Sequence, residues 1–74
     1  MSFESWLTSD LAKLLTRGGG IELDVKDRPV AELEQLAVSA KIGGARLILC
    51  GMAGHAKEEI MDIAIRGGGY VSFS

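Results

Sequence analysis

Three times along its 74 residues, this chain closes a short amphipathic stretch with a glycine cluster and then enters a short run of β-type residues. Arg17-Gly18-Gly19-Gly20 leads into Ile21-Glu22-Leu23-Asp24-Val25, Ile42-Gly43-Gly44 into Arg46-Leu47-Ile48-Leu49-Cys50, and Arg66-Gly67-Gly68-Gly69 into Tyr70-Val71-Ser72-Phe73-Ser74. Such a repeat constrains architecture more than any single residue does, because each unit must bury its apolar face against its neighbours. The outer copies align without a gap at an offset of 49 residues, Arg17 to Arg66, which leaves room for two units of about 24 or 25 residues. The middle copy fits with Ser39-Ala40-Lys41 inserted before its glycines. Each unit reads as a helix, a glycine stop and a strand.

The position of the glycines decides between two readings of them. Phosphate-binding loops follow a strand and open a helix, so that N-terminal amides point at the anion. Here the clusters follow helices and open strands, which is the place of a left-handed helix cap. Arg17 and Arg66 in the last turns suit the negative end of each helix dipole.

The apolar pattern predicts a first helix over Phe3–Arg17, with Phe3, Leu7, Leu11, Leu14 and Leu15 on one stripe. Ser9-Asp10 could instead cap a shorter helix, leaving the first residues as an arm. A second helix starts at Pro29, after a Lys26–Arg28 turn that includes Asp27, and runs to Ile42 with Val30, Leu33, Leu36, Ala37 and Ala40 inward. A third covers Ala56–Arg66, with Ile60, Ile63 and Ala64 inward. Ile21–Val25 alternates cleanly as a half-buried strand, and Tyr70–Phe73 sends Val71 and Phe73 inward. Arg46–Cys50 carries apolar side chains on both faces, the mark of a central strand.

Alternating strands and helices imply parallel pairing through right-handed crossovers. The expected fold is a two-layer α/β repeat, αβαβαβ. It has a three-stranded parallel sheet of order 1-2-3, three helices on one face, and residues 1–74 as a single domain. The rival order puts the first strand at the centre, with Glu22 and Asp24 facing solvent or a partner there. In plan the unit resembles leucine-rich and similar α/β repeats, without their asparagine ladder and consensus spacing. That resemblance implies architecture and carries no activity.

Composition excludes several classes. A net charge of −2, with no basic cluster or aromatic platform, gives no reason to expect nucleic acid. One Cys and one His fall short of a zinc site, and a lone Cys50 suits a reducing compartment. No apolar run approaches the ~20 residues that span a bilayer, and Met1-Ser2-Phe3-Glu4-Ser5-Trp6 lacks the pattern of a signal peptide. The expectation is a cytoplasmic, bacterial-type protein without a cofactor.

Three functions are compatible with this layout. The first is association, as a homo-oligomer or with a protein partner, through the sheet face left uncovered by helices. That face would carry Glu22, Asp24, Arg46, Ile48, Cys50, Tyr70 and Ser72, with Trp6 as a further anchor and equally a candidate core residue. The second is a small-anion site at the carboxyl rim of the strands, formed by Asp24, Arg28 and the Gly51, Gly54 and His55 loop, with Lys26, Asp27 and Ser74 close by. The third is an enzyme using Cys50 as nucleophile and His55 as base, for which no Asp or Asn orienter stands at a recognisable spacing.

Overall fold

Each glycine stop ends a helix and turns the chain into a strand. The computed structural model describes residues 3, 5–26 and 28–74, so Glu4 of the expected first helix and Asp27 of the expected turn and rim lie outside it. The elements in chain order are α1 (Thr8–Thr16), β1 (Ile21–Asp24), α2 (Val30–Gly43), β2 (Leu47–Cys50), α3 (Lys57–Gly67) and β3 (Val71–Phe73). A single 3-10 turn over Met52–Gly54 joins β2 to α3. The strands pair in parallel in the order β1-β2-β3, so β2 is central.

Apolar side chains from both layers meet in one core. Leu11 and Leu15 of α1, Leu33, Leu36, Ala37 and Ala40 of α2, and Ile63 of α3 pack with Ile21, Leu23, Leu47 and Leu49 of the strands. α2 lies between α1 and α3, so the helices form one layer on one side of the sheet. Burial of each Leu or Ile contributes about 1.5–3 kcal/mol relative to leaving it in water.

Glycine is required most strongly where α2 ends. A Cβ on Gly43 would lie 1.9 Å from the Leu15 carbonyl oxygen and 2.8 Å from the Thr16 carbonyl carbon, so the α1 backbone occupies the space of a side chain. Gly44 follows in the left-handed region (φ 66°), with its N–H donating to the Lys41 carbonyl and the Ala45 N–H to the Ala40 carbonyl. The last turn of α2 is thereby satisfied.

The structure changes several expectations. α1 begins at Thr8 rather than Phe3, and Leu7, with extended backbone (ψ 146°), stands as its N-cap without a side-chain hydrogen bond. The cause lies far away in sequence. The Arg28 guanidinium donates to the Trp6 carbonyl at 2.8 Å and to Thr8 Oγ1 at 2.7 Å, and the Thr8 hydroxyl donates to Glu32 in the first turn of α2. This strap holds the preceding residues as an arm, with Phe3 partly buried against the core and Trp6 edge-on to it at 5.2 Å between ring centroids. Leu7 therefore points outward, 69% exposed, and Trp6 is a surface residue at 37%.

Strand register corrects the repeat offset. Ile21, Leu47 and Val71 stand abreast, so the outer strands are 50 residues apart, 21 to 71, one more than the gapless alignment gives. The left-handed glycines Gly18, Gly44 and Gly68 mark the equivalent positions. Ala64 is exposed rather than inward, and Phe73, on the helix side at the end of an edge strand, remains 37% exposed.

Three substitutions test these contacts. Gly43→Ala forces α1 and α2 apart and lowers the unfolding free energy by about 3 kcal/mol. Gly44→Ala meets open space and lowers it by only about 1–2 kcal/mol, the cost of a left-handed Ala; denaturant midpoints that rank the two the other way contradict the packing. Arg28→Ala releases the arm, with a loss of about 1–2 kcal/mol and a red shift of Trp6 fluorescence. An unchanged emission spectrum would show that the strap does not hold Trp6.

Candidate functional site

Alternation along the strands sorts side chains between the two sheet faces. Ile21, Leu23, Leu47, Leu49 and Val71 face the helices. The opposite face carries the row Glu22, Ile48, Ser72 and the row Asp24, Cys50 in register, with Arg46 and Tyr70 at the strand starts. None of the three helices covers this side. Leu47 and Leu49 are fully buried, whereas their neighbours Ile48 and Cys50 on the central strand are only half-buried. Tyr70 is 40% exposed.

Polar groups on the open face are arranged by strand. The Cys50 thiol donates to Glu22 Oε2 at 3.4 Å, on the β1 side. Arg46 reaches the other way, Nη1 donating to Ser72 Oγ at 2.9 Å and to the Gly69 carbonyl at 3.4 Å. The carboxylates of Glu22 and Asp24 thus occupy one flank, the guanidinium lies over the other, and Ile48 separates them. Among the described residues the one Arg or Lys ion pair is Arg66–Glu34, and the His55 imidazole lies against Glu59, so neither Glu22 nor Arg46 has an ionic partner there.

At the carboxyl rim, Asp24 and Gly51 come together. Asp24 Oδ1 accepts the Lys26 N–H at 3.1 Å, a turn that holds Lys26 in the left-handed region (φ 42°). Gly51 (φ 86°) lies beside the same oxygen, 3.3 Å from where its Cβ would be. Arg28 follows β1, its N–H donating to the Val25 carbonyl, and its guanidinium donates to Thr8 and Trp6 of the N-terminal arm. His55 pairs through Nδ1 with Glu59 Oε1 at 3.4 Å, and the same oxygen accepts the Ala56 N–H at 3.3 Å. A carboxylate of the chain itself therefore sits at the start of α3, where an external anion would bind. Gly54 stands in open space.

Cys50 and His55 have separate partners, Glu22 for the thiol and Glu59 for the imidazole. Desolvation raises the Cys50 pKa, and the hydrogen bond to Glu22 with the charges of Glu22 and Asp24 raises it further; a hydrogen bond with Ser74 acts in the opposite direction. A thiol held in its neutral form is a weak nucleophile. Among the described residues no three His, Cys, Asp or Glu side chains gather to hold a metal ion, and no helix is long and apolar enough to cross a membrane.

Sequence reasoning missed the exposed apolar side chains on the outside of α2 and α3. Ile42, Met61 and Ile65 are 70%, 61% and 74% exposed, with Val38 beside Ile42 one turn earlier. The spacing of four in Val38/Ile42 and in Met61/Ile65 was the available signal, since both pairs fall out of phase with the inward stripes. An open groove also runs along α1, lined by Trp6, Leu7, Asp10, Lys13, Leu14 and Arg17 among others.

The thiol environment is directly measurable. Alkylation of Cys50 by iodoacetamide should be slow at pH 7 and rise with a midpoint above the ~8.5 of a free thiol. Glu22→Gln should lower that midpoint and His55→Ala leave it in place; a midpoint below ~8.5 that depends on His55 would reverse the assignment. No family model matches this chain, and no curated protein and no solved structure matches it.

Proposed function

We propose that the protein is a non-enzymatic interaction module that associates through the open face of its sheet, in the first place with a second copy of itself. The observation that supports this reading is the half-buried Ile48 at the centre of a parallel sheet covered by helices on one side only. Parallel sheets ordinarily have both faces covered. The two outer strands also leave backbone donors and acceptors unpaired at the sheet edges, a second incentive to associate.

Size sets the strength. Three strands spaced by about 4.8 Å, each rising about 3.3 Å per residue, present a face of a few hundred Å². That is below the ~800 Å² per partner of a standard interface. Association is accordingly micromolar or weaker, suited to a contact that forms and breaks with concentration.

Sedimentation over tens to hundreds of micromolar tests the reading. The wild-type chain should dimerise in that range, and Ile48→Glu, which places a charge at the centre of the face, should hold it monomeric. Tyr70→Glu should weaken the dimer less. Ile65→Glu, on the outer side of α3, should leave it intact. A wild-type chain that stays monomeric throughout, or a dimer lost through Ile65→Glu and kept in Ile48→Glu, overturns the proposal.

A further inference from the structure

A surface that pairs with itself about a two-fold axis must be complementary to its own image. The open face can be tested for this by placing the axis in the plane of the interface. With the axis across the strands at the level of Ile48, so that the central apolar residues meet, β1 of one copy lies over β1 of the other and Glu22 faces its own equivalent. Like charges in direct opposition disfavour that arrangement. With the axis along β2, β1 of one copy lies over β3 of the other. Glu22 then stands over Ser72, the residue on which the Arg46 guanidinium is already held at 2.9 Å.

Two contacts become self-consistent in this second arrangement. Ile48 meets Ile48 on the axis, as Cys50 meets Cys50, while Arg46 avoids its own equivalent because its guanidinium is carried off the axis to Ser72 and Gly69. Glu22, which has no cationic partner among the described residues of its own chain, meets Arg46 of the second copy, and the exchange occurs twice by symmetry. Tyr70 stands at the level of Gly20, which carries no side chain of its own to oppose the ring. Sheets packed face to face keep their strands within about 30° of one another, which this axis permits.

We infer that two copies of this chain pair face to face about a two-fold axis parallel to β2, with Ile48 against Ile48 and Glu22 of each copy bound to Arg46 of the other. This rests on the association proposed above and specifies its register. The direction in which Arg46 points carries the inference. Within its own chain it turns to β3, away from the Glu22 flank, and so leaves both charges available to a partner.

Charge exchange between copies tests the register. Glu22→Arg and Arg46→Glu should each weaken self-association at least tenfold in sedimentation equilibrium, because each places like charges in contact. An equimolar mixture of the two variants should dimerise at least as tightly as the wild type, since every contact between positions 22 and 46 then joins opposite charges. Restoration in trans cannot arise within one chain. Glu22 and Arg46 are both exposed, and circular dichroism checks that each variant keeps its fold; Glu22→Gln and Arg46→Gln supply milder changes in the same direction. A wild-type dimer with no rescue in the mixture overturns the register and leaves the association standing. A wild-type chain monomeric at every concentration overturns both.

Discussion

Parallel strands joined in the order β1-β2-β3 by crossovers of one hand must place both connecting helices on the same side of the sheet. α2 and α3 obey this, and α1, which precedes β1, packs beside α2 to complete the layer. Everything else about the molecule depends on that asymmetry. The helix side becomes the core, where Leu23, Leu33, Leu36, Leu47 and Leu49 lose all contact with water. The other side keeps only what the strands themselves carry.

α2 illustrates how the asymmetry is sustained in so short a chain. It has neighbours on both flanks and the sheet beneath, and its buried set runs from Leu33 to Ala40. Small residues let the helices come close: Ala37 faces α3 near Gly67, and Gly43 admits the backbone of α1. Its outer surface still carries Val38 and Ile42, so apolar residues encircle more of this helix than its burial requires. A chain that is 47% hydrophobic cannot hide all of that content inside one small core.

Much of the fold was legible because local chemistry and global arrangement agree. Glycine after an amphipathic run marked each helix end, and alternation in Ile21–Asp24 against two-sided apolarity in Leu47–Cys50 identified the edge and central strands. A shorter α1 behind an arm was the second of two readings the sequence offered, although Leu7 rather than Ser9 or Asp10 caps it; what no periodicity encodes is the contact that holds the arm, Arg28 gripping Trp6 and Thr8 across 22 and 20 positions. The one-residue slip in the repeat offset arose because an alignment matches letters, whereas the chain matches left-handed glycines. For the open face, strand parity revealed which residues share it. The direction of Arg46 toward Ser72, and the capture of the α3 start by Glu59, needed coordinates.

The substantial packing runs from the first unit to the middle one and from the middle one to the last, in both layers. The molecule is thus held like three links of a chain rather than a closed ring. A fluctuation that peels α3 and β3 away leaves the α1–α2 and β1–β2 contacts in place, and the reverse holds at the other end. Only disturbance of α2 or β2 dissolves both halves at once, which makes the central unit the seat of cooperativity and leaves the two ends free to fray independently.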